Sequence, residues 1–107
     1  MKVVIKQPNE DMEVKDITVN LKNLQGIVDG YIEGVYLGVK MAYKNIFAYG
    51  DDEAKLKDKE PNFWLHNKRD VFCGTAIFTK ENGFGEEIDL TDDDIKLIKE
   101  FLKENKI

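Results

Sequence analysis

One cysteine, Cys73, among 107 residues allows no internal disulfide, which fits a reducing compartment and excludes the stapled secreted scaffolds. One histidine, His66, adds too few soft ligands to complete a structural tetrahedral zinc site, and no metal is expected. Long apolar runs are missing too. Val3, Val4 and Ile5 are followed at once by Lys6, far short of a signal-peptide core, and no later run reaches transmembrane length. Nor is there an excess of positive charge: 16 basic against 21 acidic residues give −5, so the mean field repels phosphate backbones and anionic lipid. These absences predict a cytoplasmic protein with no membrane contact and no direct nucleic-acid partner.

The chain is rich enough in apolar side chains, 42% of its residues, to build one core, and it carries no linker, internal repeat or low-complexity segment. A single domain over residues 1–107 follows. Met1 to Ile5 reads as a β-branched strand, and Pro8 to Asp11 supply the turn to a second strand through Met12 and Val14. Asn20 stands at an N-cap position before Leu21, Leu24, Ile27 and Val28, whose spacing is helical, and Gly30 is expected to close that short helix in a left-handed conformation. Gly30 to Gly50 reads as two strands with the break near Gly38 to Lys40 or at Lys44-Asn45. Val71 to Thr79 reads as one more strand with Gly74 inside it.

The last element is a helix capped by Thr91, with Asp94 at the third position and Leu90 facing Ile95 as a staple. Asp92, Asp93 and Asp94 sit at the positive end of its dipole, so folding explains the acidic triplet without a metal. Strands outnumber helices, which predicts an α+β fold: a mainly antiparallel sheet with one short internal helix and a C-terminal helix packed on it.

Reaction signatures fail residue by residue. A calcium loop beginning at Asp51 would place Glu53 third, Lys55 fifth and Leu56 sixth, where oxygen ligands and a glycine belong. Gly30, Gly34 and Gly38 recur in a strand-like segment with no following helix, so they make no phosphate loop. His66 and Cys73 have no orienting partner fixed by spacing, and an enzyme reading built on them ranks last. Phe63 and Trp64, beside Pro61 and Asn62, either plug the core or anchor a partner, with plugging favoured.

The motif order is distinctive: Gly30-Tyr31-Ile32-Glu33 after a short helix, Asp51-Asp52-Glu53 leading to Lys55-Leu56, Pro61-Asn62, Asp70 through Phe78 around Gly74, and a terminal Leu90-Thr91-Asp92 helix start. From about Leu21 onward it resembles a family of small phage and bacterial proteins catalogued as a domain of unknown function, number 3846. Ala54 departs from the glycine that such proteins favour in the acidic turn. The resemblance implies a cytoplasmic protein of phage, plasmid or similar mobile-element origin, and it brings no reaction with it.

The expected function is therefore a non-enzymatic binding protein without a cofactor, an accessory or counter-defence factor acting on a host or mobile-element protein. Tyr31, Glu33 and the connection from Asp51, Asp52 and Glu53 to Asn62 and Trp64 would form its surface, because that connection is long, charged and aromatic. Acids around an aromatic anchor suit a basic partner. The alternative is a nucleotide-like small-molecule ligand held by Tyr31, Glu33, Asn62, Trp64 and Arg69. The oligomeric state is not set by the sequence.

Overall fold

Val3 and Ile5 of strand β1 (Lys2–Lys6) point to one side of a sheet and Val4 to the other, and all three are buried in the computed structural model, which describes residues 1–37, 43 and 45–107. A strand buried on both faces must be internal. Accordingly β1 pairs with β2 (Glu13–Asp16) on one side and β7 (Ala76–Glu81) on the other, which leaves β2 at an edge of the sheet. The sheet continues from β7 to β4 (Ile46–Asp51) and β3 (Ile32–Tyr36), giving the order β2-β1-β7-β4-β3, with the short β8 (Glu87–Ile88) also on β7. Every pairing is antiparallel.

Helix α1 (Leu21–Val28) covers one face, packing Leu24 and Val28 against Val3, Ile5 and Ile77. Its N-cap is as expected: the Asn20 side chain accepts the Asn23 N–H at 2.8 Å. Its other end differs, because Asp29 takes the left-handed position at φ 57° in place of Gly30. Helix α2 (Asp92–Glu104) lies on the opposite face with Ile98, Phe101 and Leu102 buried. Thr91 and Asp94 complete its capping box, and the Asp94 carboxylate also pairs with Lys80 at 3.1 Å. The α+β reading with a short internal helix and a C-terminal helix on an antiparallel sheet holds.

The segment from Asp51 to Thr79 departs most from expectation. Residues 61–65 are strand β5 (Pro61–Leu65), which forms a separate hairpin with β6 (Asp70–Cys73) and lies beside α2. What reads as one strand from Val71 to Thr79 is thus two, in different sheets. Gly74, at φ 80°, makes the break that a side chain would strain. The hairpin docks through Phe63, which stacks on Phe72 with ring centroids 4.8 Å apart and meets Phe101 edge-on at 5.7 Å. The backbone N–H of Trp64 reaches the carbonyl of Asn105 at 2.8 Å, tying hairpin to helix. Phe63 plugs the core, while Trp64 is half-buried. Of the two breaks expected between β3 and β4, Gly38 to Lys40 and Lys44 lie outside the described residues; Asn45, at φ 70°, leads directly into β4.

Candidate functional site

Asp51 ends β4, where the chain must turn away from the sheet, and its carboxylate goes inward. It is 5% exposed and accepts from Lys59 at 2.8 Å, Lys57 at 2.9 Å and the Glu53 backbone N–H at 3.0 Å. Burial alone would push its carboxyl up. The bonds from Lys59, Lys57 and Glu53 outweigh that and hold it at about 2. Lys59 also donates to the carbonyls of Val28 and Asp29, each at 2.8 Å, so one ammonium closes the end of α1 and neutralises Asp51 together. Gly30 is required for this packing: a Cβ there would fall 2.4 Å from the Asp51 carboxylate. Asp51 is therefore a keystone of the connection and presents nothing outward.

Asn62 is likewise taken by the fold. Its amide donates to the carbonyls of Lys6 and Gly74 at 2.8 Å each, and its oxygen accepts from the Lys6 ammonium at 3.0 Å. It joins β1 to the break between β6 and β7. Asn62 is internal and the Asp51 carboxylate is bonded within the molecule, so neither offers a free polar group to a partner, contrary to the sequence expectation for them.

The rest of the acidic lip does face outward. Tyr31 is 68% exposed, and Glu33 and Asp52 are exposed beside it, with the Asp52 N–H bonded to the Tyr31 carbonyl at 2.8 Å. Glu53 is half-buried. Leu56, at 83% exposed, stands on the same turn, a large apolar side chain open to solvent that sequence reasoning passed over. Its signal was an apolar residue set between Lys55 and Lys57 in a segment otherwise built of charges.

A hollow of about 310 Å³ opens between this turn, β3 and the β5–β6 hairpin, with Glu33, Asp52 and Leu56 at its mouth and Phe72 among its deeper walls. His66, Asp70 and Cys73 also border it. Lys55 binds Asp70, and that hydrogen bond, with the N–H of Val71, holds the Asp70 carboxyl below its usual range. Among the described residues no hydrogen bond joins His66 to Cys73, and no three His, Cys, Asp or Glu side chains gather as a metal-binding group.

Arg69 stands apart from the lip. It belongs to the turn linking β5 to β6 and lines a second, larger cavity of about 780 Å³ toward the end of α2. The five residues expected to line one ligand pocket do not converge: only Arg69 reaches this cavity, Glu33 lines the smaller hollow and Asn62 is internal.

A family model described as a domain of unknown function (DUF3846) matches residues 1–103, so the likeness includes the β1–β2 hairpin as well as the motifs from Leu21 onward. No curated protein and no solved structure matches the chain.

Proposed function

This chain belongs to the family of domain of unknown function DUF3846, and from that premise we propose that it is a non-enzymatic binding protein docking a basic protein partner on its acidic lip. The supporting observation is how the lysines of the connection are used. Lys57 and Lys59 share the one carboxylate of Asp51, and Lys55 is bound to Asp70, so the lysines of the connection are engaged within the molecule, and Glu33, Asp51, Asp52, Glu53 and Asp70 still outnumber them. Glu33, Asp52 and Glu53 retain carboxylates with no ion-pair partner among the described residues. The net field of the lip is thus negative where two large apolar groups, Tyr31 and Leu56, stand out. Burying a leucine stabilises a complex by about 2 kcal/mol, while the surrounding carboxylates steer and orient a cationic partner.

The surface suits the basic face of a nucleic-acid-binding protein, occupied here by carboxylates in place of phosphates. The proposal extends to an accessory or counter-defence role on a phage or other mobile element, acting in the host cytoplasm. The lone thiol of Cys73 accords with such a compartment.

Affinity capture from host lysate, run in parallel with the wild type and an E33K/D52K/E53K variant, tests the reading. The wild type is expected to retain a basic protein that the variant loses and that elutes as salt rises. Retention of the same protein by the variant overturns it.

A further inference from the structure

The larger cavity combines three features that the acidic lip does not use. Its floor is apolar and aromatic, with Leu37, Tyr43 and Phe101 all buried and the last two rings meeting edge-on at 5.6 Å. Its rim carries His66, Lys68 and Arg69, all exposed and, among the described residues, without an ion-pair partner. Glu104 stands on the wall formed by α2.

The rim is unusual in its backbone. His66, Asn67 and Lys68 are consecutive residues at φ 50°, 57° and 66°, a left-handed run that Asn67 tolerates and that His66 and Lys68 resist. The hairpin imposes it: Leu65 pairs with Asp70, leaving four residues to reverse the chain, and the Arg69 N–H closes the turn on the His66 carbonyl at 3.2 Å. The turn therefore brings the His66, Lys68 and Arg69 positions together at one edge of the cavity. In a chain of net charge −5, the neighbouring cations Lys68 and Arg69 at a cavity mouth call for an anion.

Size and floor refine that anion. A space of about 780 Å³ falls within the range of small-molecule sites and far exceeds a bare phosphate. An aromatic floor favours a planar, partly apolar group. Burial, with Glu104 and Glu100 adding to the effect, pushes the Tyr43 phenol above its ordinary range, and the ring is neutral at neutral pH with or without that shift.

We infer that this cavity binds a nucleoside monophosphate, its phosphate on Lys68 and Arg69, its base against Tyr43 and Phe101, and an amino group of the base toward Glu104. The ligand class coincides with the alternative raised by the sequence, but the residues are different ones apart from Arg69. The site adjoins the hollow of the protein-docking surface at His66, but none of the carboxylates of that lip lines it.

Calorimetry and thermal shift with AMP, GMP, CMP and UMP test it, with inorganic phosphate and adenosine as controls. At least one nucleotide is expected to bind roughly tenfold or more tighter than either control and, at a hundredfold excess over Kd, to raise Tm by about 10 °C. Lys68→Ala with Arg69→Ala is expected to lose at least about tenfold in affinity, whereas D52N/E53Q leaves it unchanged, separating this site from the lip. Should the double variant be misfolded by circular dichroism, ligand-induced amide shifts in the wild type decide the matter, the expected positions being residues 66–69 and 101–105. Silence from all four nucleotides, equal binding of phosphate alone, or shifts centred elsewhere overturns the inference.

Discussion

Replacing Asp51 with Asn removes the charge at the centre of the connection while keeping its shape. The carboxyl lies at about 2 against an ordinary 3.8, a difference worth about 2 kcal/mol of stability at neutral pH. Breaking a fully buried pair costs about 3–5 kcal/mol. Here the Lys57 side chain is 42% exposed and can recover water, so the loss should fall near the lower figure. The sign follows from the depressed carboxyl. Its stabilisation is complete above the ordinary aspartate range and disappears as pH falls from about 4 to about 2, so wild type and D51N should converge in acid. Urea unfolding followed by the fluorescence of the single tryptophan, half-buried Trp64, measures this directly. The expected result is a deficit of about 2 kcal/mol at about pH 7, or roughly 10 °C in Tm, shrinking toward zero near pH 2. A deficit below about 0.5 kcal/mol at neutral pH, or one that stays constant down to about pH 2.5, would refute the keystone role.

Two other substitutions probe the frame around the site. Asn62→Ala leaves the carbonyls of Lys6 and Gly74 without their amide donor and should lower unfolding free energy by about 2–4 kcal/mol in the same urea assay. Gly50→Ala puts a Cβ 2.4 Å from the Phe72 ring and displaces it from Phe63; about 1–3 kcal/mol and a weakened near-ultraviolet circular dichroism signal are expected.

The elements that were legible are those whose instructions are local. Asn20 and Thr91 announce helices because each caps within three residues, and the β-branched run of β1 followed by Pro8-Asn9 describes its own hairpin. Strand β5 was hidden because its reasons for existing are distant: Phe63 is extended to reach Phe72, Phe78 and Phe101, and Asn62 to bridge Lys6 and Gly74. Gly74 was read as lying inside a single strand, although its positive φ lets the chain leave one sheet for another. Which acid of Asp51, Asp52 and Glu53 turns inward depends on Lys57 and Lys59 folding back, a contact that no local sequence pattern encodes. Four of the eight candidate residues, Tyr31, Glu33, Asp52 and Glu53, do lie in or around one acidic lip; Arg69 proved to belong to another cavity, and the remaining positions serve the scaffold or lie half-buried on β5.

The place of β7 bears on how the chain is made. Its neighbours β1 and β4 both precede it, β1 by some seventy residues, as the pairing of Val4 with Phe78 illustrates. During translation those two strands leave the ribosome with no seam to join, and their valines, isoleucines and aromatics stay open to other nascent chains until Ala76 to Glu81 follow. Slowing elongation before β7 has cleared the exit tunnel should therefore raise aggregation, whereas a pause after it has emerged should spare the protein.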